Sequence, residues 1–358
     1  MKKSCVFSKI IFIFCILLHF QNCAVRVKRI IGGELYVTTN QDFLVALIGE
    51  KGYSWDILRI WGDYHKSHCT GAVISDEWII TAAHCFSTIR EIDDEVSGKD
   101  NESVTASEEE DTDYEYYDEI VTETVDTIHL IKKKSSGSAI KEIIDLSDPT
   151  YWKARIGVRQ LEPTYKEVIV NFLQKILNKN PKTLYHEISK VIRHPLYDPL
   201  YLENDIALLK LKTKLNTSQN SNIGIISMTS HNDTNITWPI SGQICKAIGW
   251  GCKEFKGPIT NEPYFTHFPI LKPSFCRKFY NGNINLTDQQ EFCAGNFNKN
   301  KGICAGDSGG PLLCNENGMP VLAGIAEATH SDFPKDYPGI YSRISYFKSW
   351  INEIMKYN

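Results

Sequence analysis

No charge of one sign dominates this sequence. Its 39 Lys and Arg stand against 43 Asp and Glu, a formal net charge of −4, which gives no reason to expect nucleic acid as a partner. It lacks any CxxC pair, and its cysteine spacings are too wide for a zinc site. Its carboxylates form no recognisable calcium loop. Neither a metal nor another cofactor is therefore expected. No internal repeat is visible. Beyond the N-terminus no apolar run is long enough to cross a bilayer, so no stable membrane anchor is expected.

What is present begins with a leader. Lys2, Lys3 and Lys9 precede an almost unbroken apolar run from Ile10 to Phe20, then Gln21, Asn22, Cys23 and Ala24. That is the three-part pattern of a secretory signal peptide, assigned to residues 1–23. The run is too short for a membrane anchor. Secretion changes how the cysteines are read. Three of the eleven lie in or beside the signal, and eight remain: Cys69, Cys85, Cys245, Cys252, Cys276, Cys293, Cys304 and Cys314. An even number outside the cell points to disulfides. N-x-S/T sequons at Asn101, Asn216, Asn232, Asn235 and Asn285 agree with an extracellular glycoprotein.

After a basic stretch ending in Lys28-Arg29, the chain turns to short β-branched or aromatic runs, among them Phe43 to Ile48 and Trp78 to Ala82. Residues from about 87 to 150 differ. Eight of the twelve positions from Glu108 to Glu119 are acidic and none is basic. This reads as a long solvated insertion, either a plain spacer or an acidic arm that docks a basic partner or screens a site. Strand-like pieces return at Ala154 to Val158, Ile188 to Ile192, Ile206 to Leu211, Gln243 to Gly249 and Pro320 to Ala326. The stretch from Lys166 to Leu177 is readable as helix or strand. Ile344, Phe347, Trp350, Ile351 and Ile354 have helical spacing. Many short strands and one terminal helix suggest an all-β fold of two antiparallel barrels or a sandwich.

Three local sequences carry chemistry: Thr81-Ala82-Ala83-His84-Cys85, Asn204-Asp205-Ile206-Ala207-Leu208, and Gly306-Asp307-Ser308-Gly309-Gly310-Pro311. A serine hydroxyl needs a neighbour to take its proton as it attacks. Histidine suits, because it titrates near working pH. A buried aspartate fixes the ring's tautomer and tolerates its passing charge. Glycines around Ser308 let the backbone turn sharply, so that the N–H groups of Gly306 and Ser308 can face a developing oxyanion. A GxSxG pattern also raises an α/β-hydrolase, but there serine precedes acid and histidine, and the strand–helix alternation is missing here.

On these motifs the chain resembles the trypsin and chymotrypsin family of serine peptidases, from Ile30 to the C-terminal helix. The resemblance implies two antiparallel six-stranded β-barrels with His84, Asp205 and Ser308 at their junction. It implies activation by cleavage between Arg29 and Ile30, residues 24–29 being the activation peptide and 30–358 the peptidase domain. The freed Ile30 amine would then pair with buried Asp307 and order the oxyanion loop. It also implies disulfides Cys69–Cys85, Cys245–Cys314 and Cys276–Cys293. Cys304 lacks its usual partner and Cys252 is extra. A non-standard Cys252–Cys304 bridge is expected, the alternative being two free thiols.

Departures from the family pattern bear on specificity. Gly302 stands where trypsin-like members carry Asp, so a basic substrate side chain would be desolvated without a partner. With Gly302, Thr329 and Gly339 shaping the pocket, small or medium uncharged side chains are expected. Ala328 removes an aromatic wall, and Thr70 replaces a usual glycine on the leaving-group side. Glu327 is expected near Asp205, where two carboxylates resist joint ionisation. The expected function is a secreted endopeptidase acting on proteins or peptides, activated by a trypsin-like protease and open to a protein inhibitor. The competing function is a protease-like binding protein with weak or no turnover.

Overall fold

A computed structural model describes residues 31–37, 42–51, 65–92, 130–133, 140–177, 184–218, 222–232, 238–254, 257–280, 286–295, 301–330 and 333–358. The signal segment, Arg29, Ile30, the acidic run 108–119 and the sequons at Asn101, Asn235 and Asn285 lie outside them. In chain order the described strands are β1 (Glu34–Leu35), β2 (Leu44–Lys51), β3 (His65–Val73), β4 (Trp78–Thr81), β5 (Ser87–Ile92), β6 (Leu130–Lys133), β7 (Ile140–Asp145), β8 (Trp152–Ile156), β9 (His186–Arg193), β10 (Ala207–Leu211), β11 (Ile244–Gly249), β12 (Tyr264–Pro269), β13 (Glu291–Ala294), β14 (Pro311–Glu316), β15 (Met319–Ala328) and β16 (Gly339–Arg343). Helices α1 (Tyr165–Ile176), α2 (Pro273–Tyr280) and α3 (Ile344–Tyr357) complete the set.

Six strands close a barrel in the order β10-β4-β3-β2-β8-β9. The four residues of β4, Trp-Ile-Ile-Thr, are all buried: the strand is paired on both edges, with β10 and β3, and Trp78, Ile79 and Ile80 pack into the main core. Such continuous β-branched runs suit a strand covered on both faces. The second sheet runs β1-β12-β11-β14-β15-β16-β13. A bridge between Ile270, just after β12, and Ala294 of β13 brings its ends together. Six strands thus curl into the second barrel, and the two-residue β1 pairs with the outer side of β12. The fold is chymotrypsin-like. Helix α3 buries Ile344, Phe347 and Ile351 in the core that holds the first barrel, and Phe347 and Trp350 meet the His194 ring edge-on at 5.3 and 4.9 Å.

Two regions depart from the sequence reading. The stretch near 87–150 is not solvated throughout. Its two ends pair as β5 and β7, with β6 added as a third strand, and Ile143 is buried. The ambiguous stretch at Lys166 is α1, started by a capping box in which the Thr164 hydroxyl accepts from Glu167 N and the Glu167 carboxylate accepts from Thr164 N. Its half-buried positions are polar Glu167, Asn171 and Gln174, whereas Val168, Ile169, Phe172, Leu173 and Ile176 are exposed.

Candidate active site

His84 sits in a 3₁₀ turn, Ala83–Phe86, directly beyond the buried strand β4. Its backbone N–H donates to Asp205 Oδ1 at 2.7 Å and its ring Nδ1 lies 2.5 Å from Asp205 Oδ2. With Nδ1–H as donor, Nε2 keeps its lone pair for an incoming proton. Burial lowers the His84 pKa, but the charge and hydrogen bond of Asp205 outweigh it and leave the pKa raised. The imidazolium is therefore the better-stabilised form beside this carboxylate. The Asp205 side chain is fully covered, and 23% of the His84 side chain is exposed.

Local backbone chemistry aims Asp205. Asn204 has φ 55°, a left-handed conformation that asparagine adopts more readily than most residues. Its Nδ2 donates to Leu196 O at 2.9 Å, anchoring the turn ahead of β10. Behind Asp205, the Ser342 hydroxyl of β16 donates to its carbonyl at 2.8 Å.

The Ser308 loop approaches from the second barrel. Thr70 N of β3 donates to Ser308 O at 2.8 Å, and Thr70 Oγ1 donates to Gly306 O at 2.8 Å. Thr81 Oγ1 in turn donates to Thr70 O at 2.8 Å. Gly309 N donates to Ala326 O at 2.7 Å. A side chain at Gly309 is impossible: φ is +75° and a Cβ would lie 2.0 Å from Thr81 Oγ1. The residue after the serine is thus pressed against the strand that leads to His84. Thr70, read from sequence as a neighbour of the leaving group, also fastens the loop to β3. The contact spans 236 residues and has no local signature.

Asp307 is buried. Its Oδ1 accepts from Gly251 N at 2.8 Å and its Oδ2 from Cys304 N at 2.9 Å. Burial raises its pKa to about 7 against the lowering pull of those two N–H groups. Ile31 forms a β-bridge with Gly302 and is buried with Cys252 and Cys304. The structure joins Cys69 to Cys85, Cys245 to Cys314, Cys252 to Cys304 and Cys276 to Cys293. The Cys252–Cys304 bridge ties the strand-end bearing Gly251 to the loop bearing Asp307.

Around the pocket positions space is short. A Cβ on Gly302 would lie 2.0 Å from Pro334 O. A Cβ on Gly339 would lie 2.8 Å from Ile303 Cδ1, so the Ile303 side chain stands against Gly339. The Tyr280 hydroxyl donates to Pro338 O. Ala328 packs against the cluster of Cys276, Tyr280, Cys293 and Ile340. Ile303 and Tyr280 were missed in the sequence. Ile303 follows Gly302 directly and offered the one readable signal.

A profile of the trypsin family matches residues 30–160 and 162–351. The chain therefore belongs to the trypsin family. Among similar proteins is chymase from Canis lupus familiaris, 33% identical over 174 residues, 48% of this chain and 63% of that protein. Chymase from Cavia porcellus is 33% identical over 184 residues, 51% of this chain and 68% of that protein. Trypsin from Squalus acanthias is 34% identical over 170 residues, 47% of this chain and 67% of that protein. The chain thus spans about two thirds of the length of these relatives. Among the described residues no helix is long and apolar enough to cross a membrane.

Proposed function

We propose that this protein is a secreted serine endopeptidase, made as a precursor and activated by cleavage after Arg29. The observation that supports this most is the junction itself. A paired His84 and Asp205 stand at the end of β4, and the Ser308 loop is bonded to β3 and pressed against Thr81. The Ser308 Oγ attacks a peptide carbonyl while its proton passes to His84 Nε2. The N–H groups of Gly306 and Ser308 hold the oxyanion. The proton then goes to the departing amine, leaving an acyl-enzyme. Water, deprotonated by the same imidazole, releases the acid and restores Ser308. Each oxyanion donor is worth about 3 kcal/mol of barrier.

Activation rests on Asp307. Its carboxyl is buried and accepts from the N–H of Gly251 and of Cys304, the latter clustered with Ile31, and among the described residues no cation is among the groups that shift it. A new ammonium at Ile30 would offset the cost of ionising it. Residues 1–23 are the signal peptide and 24–29 the activation peptide in this reading. The partners are protein or peptide substrates, an activating trypsin-like protease and a protein inhibitor. Substrates are cleaved after small or medium uncharged residues, because Pro334 O crowds Gly302 and Ile303 stands against Gly339.

Those same crowded positions favour a second reading, a protease-like binding protein. Fluorophosphonate labelling of the precursor, before and after limited trypsin cleavage, separates the two, with Ser308→Ala as control. Labelling that appears only after cleavage at Arg29 and vanishes in the variant supports the peptidase. Complete cleavage with Ser308 unlabelled supports the binding protein.

A further inference from the structure

Strand β15 places a carboxyl where, among the described residues, a second negative charge has no counter-ion. Glu327 is 6% exposed. It is faced by Asp205, from the turn before β10, by Glu291 of β13 and by Tyr280 of α2. Glu203 also faces Glu291. Arg343 at the end of β16 faces Glu291 as well, but its Nη1 donates to Trp238 O and its Nη2 to Asp288 O and Glu291 O. Among the described residues no cation is among the groups that shift Glu327.

Counting hydrogens decides its state. Ser342 Oγ lies 2.8 Å from Asp205 O and 3.3 Å from Glu327 Oε2. A hydroxyl has one hydrogen, and a carbonyl can only accept. The shorter contact therefore takes the Ser342 hydrogen. That leaves Ser342 Oγ free to accept in the longer contact, a hydrogen that a carboxylic acid at Glu327 supplies and a carboxylate does not. We infer that Glu327 is held as a neutral acid through the neutral pH range and that, through Ser342, it positions the backbone of Asp205 behind His84. The chain of donors runs from Glu327 to Ser342 Oγ to the Asp205 carbonyl. This rests on the reading of His84, Asp205 and Ser308 as a triad.

Electrostatics agree with the geometry. Burial raises the Glu327 pKa well above the usual carboxyl range and the charges of Glu291 and Asp205 raise it further; a Ser342 hydrogen turned to Glu327 would oppose them, and the 2.8 Å bond to the Asp205 carbonyl takes that hydrogen away. When Glu327 does ionise at high pH, its carboxylate competes for the Ser342 hydrogen. The Asp205 carbonyl then loses its donor and the triad gains a second negative neighbour. Glu327 is thus a positioning residue with its own alkaline titration.

The test compares the full chain with Glu327→Gln and Glu327→Ala. In infrared difference spectra at neutral pH, wild type should show a protonated-carboxyl band that Glu327→Gln lacks. Absence of any such difference overturns the inference. The His84 ring titration, followed by NMR, should move by less than about 0.3 pH units in Glu327→Gln, since a neutral donor replaces a neutral donor. A fall of about one unit or more would mean that a charge had been removed, and would overturn it. For positioning, Glu327→Ala should lower kcat about tenfold with little change in KM, and Glu327→Gln should recover most of that loss. Equal rates in the two variants would overturn the positioning role. If Ser308 proves unreactive to fluorophosphonate, the peptidase reading fails, yet the infrared and NMR arms still report the state of Glu327. They also decide the matter if the alanine variant does not fold.

Discussion

The two barrels hold their halves of the site in different ways. In the first, His84 and Asp205 stand at the ends of β4 and β10, neighbouring strands of a barrel closed by pairing all round. Their carboxylate–imidazole contact is direct and fully desolvated on the Asp205 side. In the second, Ser308 lies in a loop before β14. That loop is held by separate ties: Thr70 and Ala326 by hydrogen bonds, Gly251 through Asp307, and Cys252 through a disulfide. The proposed base is built by strand pairing. The proposed nucleophile is placed by contacts that can be made or lost one at a time. Such a division suits the proposed activation, which would act on one half alone.

The strongest way to break this comparison is at the pair itself. Asp205→Asn should leave the chain folded but lower kcat on the order of 10⁴-fold, because the ring loses its orienting carboxylate. Peptide turnover after activation measures it, and a loss below tenfold would mean that the strand-built pair is not what drives the chemistry.

The next effect concerns Asp307. Its folded pKa of about 7 lies above the ordinary 3.8, so the native precursor binds a proton there that the unfolded chain gives up. Stability from this group is full below about pH 4 and is lost as pH rises towards 7, by up to about 4 kcal/mol. A paired Ile30 amine removes that slope. Melting curves of precursor and cleaved chain between those limits should diverge as pH rises, with the cleaved form more stable at pH 7. Asp42, Glu291 and Glu327 are also raised, but they stand in both forms and cancel in the difference. Parallel curves would remove Ile30–Asp307 pairing from the account.

Two smaller tests sharpen the view of the second half. Gly302→Ala should cost roughly 1–3 kcal/mol in thermal unfolding, since its Cβ would meet Pro334 O. Gly302→Asp should cost no less and should not confer cleavage after Arg or Lys. Thr70→Val keeps shape but removes the donor to Gly306 O. It should cost about 1 kcal/mol, read as a several-fold fall in kcat/KM with the Tm changed by a few degrees. An unchanged rate would show that the loop does not need the Thr70 hydroxyl, the Thr70 N–H bond to Ser308 O being kept.

The motifs proposed to carry catalysis stand out in the sequence because each is local. Thr81 to Cys85 and Gly306 to Pro311 contain their own chemistry, and short apolar runs mark β2, β4 and β10. The helix at 165–176 was ambiguous because its apolar stripe is also a run of Val and Ile. The signal that resolves it, Thr164 with Glu167 three residues on, lies in the cap. The β5–β7 pairing escaped because Thr88 meets Ile144 across the whole acidic stretch. Register between segments so far apart leaves no short-range mark. The crowding of Gly302 by Pro334 and the reach of Thr70 to Gly306 are properties of packing, invisible in either segment alone.

Helix α1 carries a final consequence. It buries no residue in a core, so its amides should exchange with solvent far sooner than those of β4. Yet Arg155 of β8, 1% exposed at its side chain, places Nη2 3.3 Å from Glu167 Oε2 in the first turn of that helix. Each opening of α1 strips a buried guanidinium of its carboxylate. A segment with the protection of a surface loop is in this way coupled to the interior of the first barrel, and deuterium uptake at residues 165–176 becomes a gauge of how tightly that barrel is closed.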